Sequence, residues 1–256
     1  MLTMNDRLFV HVPYTFLAQN LELVLARKVN PEVFFSGDML DCLIPEQLAA
    51  ITSTLAEHSL SATIHAPFID LNPGSAERLI REATRHRLNQ VIDAAAILKP
   101  RVVVFHPGYD RWRYGENQET WLRHSIEAWE EILPRAAKIG FIVAVENIFE
   151  EEPSTLLALF EALPRLRHCF DVGHWNLFTK VGMEEWFATV GSFIAEAHIH
   201  DNHGQRDDHA PVGEGSIDFD LFFRLMEKYA PQAVWTIEAH SKEDLDRSLV
   251  NIGKFL

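Results

Sequence analysis

The sequence predicts an α/β chain folded as a TIM (β/α)8 barrel, and three observations carry that expectation. Eight short apolar runs that read as strands alternate with eight stretches of helical periodicity. The 256 residues divided among eight units give 32 each, a length that suits a closed parallel barrel. From the third to the eighth, the strand candidates end on imidazole or carboxylate side chains, where such barrels carry their chemistry. A doubly wound open sheet would ordinarily show a glycine-rich phosphate turn after an early strand, and none is visible. No linker or composition break interrupts the chain, so one domain over residues 1–256 is expected.

Each element has its own signal. Residues 8–12 are a short apolar strand, and leucines at 17, 21 and 25 mark a helix over 16–29. The second strand is 33–35, and Pro45 opens a helix through residue 55. The third strand, 61–67, ends on His65; a long helical pattern over 75–98 leads to the fourth, 101–108, with His106 at its end. A helix over 121–139 precedes the fifth strand, 141–147, which closes on Glu146. After a short helix, 154–163, the sixth strand runs from 166 and closes on Asp171-Val172-Gly173-His174. A helix over 184–190 leads to the seventh strand, whose apolar start is 193–195 and whose end carries His198 and His200 on one face. Gly213 and Gly215 let the chain turn before Asp218 caps a helix over 219–229. The last strand, 233–238, ends on Glu238, and Ser241 to Asp244 reads as a capping box for the final helix.

Composition bounds the setting. The chain is 47% hydrophobic without an apolar run long enough to span a bilayer, and MLTMNDRLFV lacks the basic segment and apolar core of a secretory leader. Cys42 and Cys169 suggest neither a disulfide framework nor a thiolate metal site, so a soluble, cytoplasmic protein is expected. A net charge of −14 disfavours loose binding to nucleic acid or an anionic membrane.

The richest stretch is 198–215, HIHDNHGQRDDHAPVGEG, in which Asp207 and His209 repeat the two-residue spacing of His198 and His200. A strand-end histidine alone is more often a hydrogen-bonded structural residue, and a lone Glu146 or Glu238 could as well pair with an arginine. Together, His65, His106, Glu146, Asp171, His174, His198, Asp207, His209 and Glu238 would converge on one rim, where carboxylates at close quarters repel unless cations hold them. They are the expected metal ligands. Mixed nitrogen and oxygen donors favour Zn²⁺, Mn²⁺, Fe²⁺ or Co²⁺ over Ca²⁺ or Mg²⁺, with one to three ions at the site. His200 and Asp201 are expected to support the ligands or face substrate, and Asn147 to be structural. No role is assigned to His11, His58, His86, His124 or His168.

HAPF at 65, FHPG at 106, VEN at 145, DVGH at 171, HIHD at 198, DDHAPVGEG at 207 and IEAH at 237 together resemble the xylose-isomerase-like barrel superfamily. It includes sugar and sugar phosphate isomerases and epimerases and the endonuclease IV group of abasic-site nucleases. The resemblance runs from about residue 61 onward. Its nuclease side would make the nine residues ligands of a trinuclear zinc site. Its isomerase side implies one divalent metal, zinc or manganese, held by Glu146, Asp171, His198 and Glu238, with Glu146 and Glu238 as proton-transfer groups across the sugar and His174 beside it. Trp175-Asn176-Leu177-Phe178 replaces the small residues that the nuclease pattern carries after the sixth strand, and Arg206 is the one cation between His198 and Asp207. A sugar or sugar phosphate isomerase or epimerase is therefore expected, with Arg206, Trp175 and Tyr109 as anchors or walls, Phe68 as a pocket wall, and a small-molecule substrate rather than nucleic acid or a membrane as partner. An endonuclease IV-like phosphodiesterase and a non-catalytic metal-binding barrel are the alternatives, and self-association is left open.

Overall fold

The computed structural model describes residues 7–255, so residues 1–6 and 256 of the expected domain, and most of the stretch read for a leader, lie outside the described residues. Eight parallel strands close into a barrel in sequence order: β1 Leu8–Pro13, β2 Asn30–Phe34, β3 Thr63–His65, β4 Val102–Phe105, β5 Ile142–Glu146, β6 Arg167–Asp171, β7 Ile194–Ile199 and β8 Val234–Ile237. β1 pairs with both β2 and β8, which closes the ring and leaves no edge. The expected TIM barrel is the observed one.

Two shells of apolar side chains follow from the strands' two-residue period. Inside the barrel, Phe9, Val102, Val104, Ala144, Cys169 and Val234 form a small separate cluster. Outside it, alternate residues such as Val103, Val143 and Phe170 join the large core under the helices. The helix Phe219–Tyr229 shows how that core is sealed. Its buried face, Phe219, Phe222, Phe223, Leu225 and Met226, recurs every three to four residues, and Asp218 caps its start by accepting from the Leu221 N–H at 2.8 Å.

Several elements differ from the expected ones. The helix expected over 16–29 is two, Tyr14–Gln19 and Leu21–Arg27, because the Asn20 side chain donates to the Phe16 carbonyl at 3.0 Å and competes with the helical ladder. The long third helix starts at Arg78 rather than 75, capped by Glu77, and the next starts at Gln118 and keeps Pro134 in its interior. Asp171 and His174 do not close a strand together. Asp171 ends β6 and caps a further helix, Val172–Phe178, so His174 stands in a helical turn. The capping box is half made: Ser241 accepts from the Asp244 N–H, while the Asp244 carboxylate accepts from the Ser241 hydroxyl and pairs with Arg247. Cys169 is buried and Cys42 exposed, both free. No helix among the described residues is long and apolar enough to cross a membrane.

Phe222 is fully buried among Phe170, Phe187, Phe219 and Phe223. Phe222→Ala should cost ~3–5 kcal/mol of stability, read from the urea unfolding midpoint. A loss below ~1 kcal/mol would mean that the helix does not seal the core as described.

Candidate metal centre

The inward positions at the carboxyl ends of the strands converge on one floor. His65 ends β3, Glu146 ends β5, Asp171 ends β6 and His198 lies in β7, while His106 and Glu238 stand one residue beyond β4 and β8. Glu146 is the hub. Its Oε2 lies 3.3 Å from His65 Nε2, 3.3 Å from His106 Nε2 and 3.5 Å from His198 Nδ1, and its Oε1 lies 3.0 Å from His174 Nδ1. Asp171 Oδ2 is 3.4 Å from His174 Nδ1, 3.2 Å from His200 Nε2 and 3.8 Å from His198 Nδ1. Asp207 bridges His174 and His209 at 3.5 and 3.2 Å, and Glu238 Oε2 lies 3.6 Å from His209 Nδ1. All nine residues expected as ligands are thus brought together.

The local structure fixes these groups. Asn147 clasps Asp171 twice, donating to its carbonyl and accepting from its N–H, both at 2.9 Å, which bears out its structural reading. Asp171 Oδ1 accepts from the His174 N–H, an N-cap bond that leaves Oδ2 for the site. Gly173 has no room for a side chain: a Cβ there would sit 2.0 Å from His200 Cε1. Asp201 turns away from the site and accepts from the N–H groups of Asn202, Gly215 and Ile217, which fixes the loop carrying Asp207 and His209.

The donor set fits a divalent metal. Glu146 Oε2 and the Nδ1 atoms of His174, His198, His200 and His209 are buried without a hydrogen-bond partner, although carboxylates and imidazoles crowd them. Buried polar atoms left unpaired this close together are available to a cation, as ligand atoms are. His65, His106 and Glu146 form one group able to hold an ion, His65, His198 and Glu238 a second, and His200, His209 and Glu238 a third. The His65 ring has its other nitrogen on the Ala66 carbonyl at 2.9 Å, which leaves Nε2 for the site.

Charge balance follows from the same geometry. Burial works to raise the Glu146 carboxyl, but His198 and His106 beside it hold it well below the usual range. Burial likewise opposes the ionised form of Glu238, which His198, His11 and His209 keep low. His65, opposed by burial, is lifted to about 8 by Glu146 and Glu32. His106 moves the other way, burial outweighing its single carboxylate neighbour.

A cavity of about 1040 Å³ opens above this floor. Phe68 and Tyr109 line it as expected, Phe68 stacking on the His106 ring at 4.3 Å. Three other expected substrate contacts do not reach it. Arg206 turns outward, its side chain 85% exposed, to pair with Asp208. Trp175 packs against the apolar core, and His200 is fully buried against Asp171. The cation lining the cavity is instead Arg113, from the short helix Arg111–Tyr114.

His11 and Glu32 belong to this floor although the sequence assigns neither a role. His11 Nδ1 lies 3.1 Å from Glu32 Oε2 and 3.5 Å from Glu238 Oε1, and Glu32 Oε1 lies 3.0 Å from His198 Nε2. The available signal is a carboxylate flanked by Pro31 and Val33 in an otherwise apolar strand. His240, stacked on His209 at 4.2 Å, also lines the cavity. His168, by contrast, is structural: its Nδ1 meets the Val145 carbonyl, its Nε2 accepts from Trp186, and burial lowers it to about 4.

Residues 32–251 match the family described as xylose isomerase-like TIM barrel. Among curated relatives, the uncharacterized protein MJ1311 of Methanocaldococcus jannaschii is 27% identical over 223 residues, covering 84% of this chain and 76% of the relative. A probable endonuclease 4 of Mycobacterium leprae is 24% identical over 222 residues, covering 77% and 81%. Among solved structures, a D-tagatose 3-epimerase-like protein superposes with a TM-score of 0.83 at 24% identity, covering 97% of this chain and 96% of that one. The TTHB071 protein from Thermus thermophilus, soaked with ZnCl2, gives 0.81 at 24%, covering 97% of both. These two structural likenesses concern the fold.

Gly173→Ala must displace His200 from Asp171, so zinc affinity, read by competition with a chromophoric chelator, should fall ~10-fold or more. Unchanged affinity would show that the ring is free to move. Glu150 is buried near the site, accepts from the Ile148 N–H at 2.7 Å, and is pushed by burial from the ordinary 4.5 up to about 7. The native state therefore holds a proton that the unfolded chain releases, and stability falls as pH rises through that window. Glu150→Gln removes this slope, so the variant should melt higher than wild type at pH 8 and equal to it near pH 4; a pH-independent difference would contradict the assignment.

Proposed function

The chain belongs to the xylose isomerase-like TIM barrel family, and on that premise we propose that it is a divalent-metal-dependent isomerase or epimerase of a sugar or sugar phosphate. The observation that carries the reading is the approach of two buried carboxylates to one nitrogen. Glu146, from β5, and Glu238, from the end of β8, each stand 3.5 Å from His198 Nδ1 at the floor of the cavity. A metal bound among Glu146, Asp171, His198 and Glu238 supplies polarisation of a carbonyl and its neighbouring hydroxyl, which lowers the cost of removing the proton between them. The residues do the rest. Glu146 and Glu238 are both held ionised, so either can accept the proton from the substrate carbon, and the carboxyl so protonated, which also exchanges with solvent, can return a proton to that carbon or its neighbour. His174, within hydrogen-bonding distance of Glu146 and lining the cavity, can orient a substrate hydroxyl. Phe34, Phe68, Tyr109 and Phe178 wall the cavity and exclude water from the reacting atoms.

A second reading, an endonuclease IV-like phosphodiesterase, is favoured by the presence of all nine ligand positions of the trinuclear pattern. The surface around them argues against it. A nuclease neutralises a run of phosphates, whereas this cavity is lined by one arginine, Arg113, beside the acidic Asp70 and Asp110.

The deciding experiment is solvent exchange. Manganese- or zinc-loaded protein is incubated in heavy water with ketoses and aldoses, free and phosphorylated, alongside a duplex carrying an abasic site. Exchange of a substrate C–H proton is expected for at least one sugar, lowered ~100-fold or more by Glu146→Gln or Glu238→Gln. Salt-sensitive cleavage of the duplex with no exchange on any sugar would overturn the isomerase reading.

A further inference from the structure

Beneath the ligands, β2 contributes one buried carboxylate that meets Nε2 of the His198 ring, the nitrogen opposite the Nδ1 that faces Glu146, Asp171 and Glu238. We propose that Glu32 is the positioning residue of the centre: a single carboxylate that holds His198 with Nδ1 towards the metal and His11 against the cavity wall. The proposal rests on the metal-centre reading and adds to it the group that sets ring orientation.

The geometry divides the His198 ring in two. Nδ1 has no hydrogen-bond partner and lies within 3.5–3.8 Å of Glu146, Glu238 and Asp171. Nε2, the opposite nitrogen, lies 3.0 Å from Glu32 Oε1. A neutral imidazole carries its hydrogen on one nitrogen and its lone pair on the other. A carboxylate can only accept from the ring, so Glu32 selects the tautomer with hydrogen on Nε2 and the lone pair on Nδ1, facing the other ligands.

Glu32's second oxygen repeats the device on a neighbouring strand. His11 pairs with Glu32 in the β1–β2 register, and its Nδ1 lies 3.1 Å from Glu32 Oε2. That bond leaves Nε2 as the ring nitrogen without a protein partner, on a histidine that lines the cavity and stacks on Phe34 at 5.5 Å. Each oxygen of Glu32 thus holds one ring, and the residue is fully buried. Such a carboxylate is a costly way to fill space, and an apolar side chain of similar volume would serve packing as well. Glu196, two residues before His198, is the internal contrast: it is equally buried, but its Oε1 accepts from the hydroxyls of Thr63 at 3.3 Å and Thr236 at 2.5 Å rather than from a ring.

The test compares three variants by chelator competition with Zn²⁺ or Co²⁺, with metal-free melting curves as the check on folding. Glu32→Gln keeps the size but presents one acceptor and one donor, so it cannot accept from both rings. It should bind metal ~10–100-fold more weakly, with an altered Co²⁺ absorption spectrum. Glu196→Gln should bind within a few-fold of wild type, and Glu146→Gln should lose the metal. Wild-type affinity in Glu32→Gln beside loss in Glu146→Gln overturns the role of Glu32 and leaves the centre standing. Equal weakening in Glu196→Gln would mean that altering any buried acid beneath the floor, rather than ring orientation, weakens the centre, and also overturns it. Wild-type binding in Glu146→Gln overturns the centre itself. If Glu32→Gln does not fold, nitrogen-15 spectra of histidine-labelled, zinc-loaded wild type decide: a proton on His198 Nε2 is expected, and a proton on Nδ1 refutes the proposal.

Discussion

The molecule depends on how carboxylates are kept inside a barrel. Glu32, Glu146, Asp171 and Glu238 are buried at its carboxyl end, and the ion pairs they make are with histidines. Two unit charges about 4 Å apart interact by roughly 4 kcal/mol at the effective dielectric of a protein, so like charges cannot be packed there without separation. Imidazoles supply it, because a ring can carry a proton, give a hydrogen bond or offer a lone pair as its neighbours require. Glu196, one inward position lower on β7, lacks a ring on its hydrogen-bonding oxygen. Burial and the charge of Glu32 push it up to about 8, and it accepts from two threonine hydroxyls instead. The axis of the barrel thus passes from apolar filling, through a protonated acid, to a cluster poised for cations.

The loop after β7 turns that cluster into an enclosed site. Asp201 and Ala210 exchange both backbone hydrogen bonds at 2.8 Å, which brings the loop back on itself and carries Asp207 and His209 over the floor. A side chain at Gly215 would lie 2.3 Å from Asp201 Oδ1, so the return path depends on its absence. Asn202 then ties this loop to the preceding one, donating to the Gly173 carbonyl at 2.9 Å and accepting from Asn176 at 2.8 Å. Because Gly173 lies between Asp171 and His174, the candidate ligands at the end of β6 and those of the β7 loop are located relative to one another by a shared set of bonds.

The fold and most of the floor are legible in the sequence because both follow from a two-residue period. Inward residues run Val102, Val104, His106 from β4, Ala144, Glu146 along β5 and Val234, Thr236, Glu238 from β8, so strand-end spacing alone points the ligands to one place. What the sequence hides has equally definite causes. His11 and Glu32 lie on strands that do not end on a ligand-type residue, and only the β1–β2 register shows them side by side. Arg206, Trp175 and His200 depart from their expected places because loop and helix geometry sets their direction: Arg206 follows a turn into solvent, Trp175 follows the helix that Asp171 caps, and His200 is drawn under Gly173. Arg113 gives no signal, since the helix that brings it to the cavity spans only four residues.

The same period explains why the site resists drift. A slip of one residue in any strand would exchange the inward and outward sets and send a ligand into the apolar layer under the helices. The outer faces oppose such a slip at the carboxyl end, since Phe170, Ala197 and Ile237 are buried there and would have to enter the polar floor in return. Burial of the outer shell therefore holds the register, and the register holds the candidate ligands. On β6 the pairing shifts between His168 and Cys169, yet Asp171 still stands opposite His198 on β7. His168, bonded to Val145 on one side and to Trp186 on the other, anchors the chain at that irregularity. A histidine outside the floor thus keeps His198 in register with Asp171.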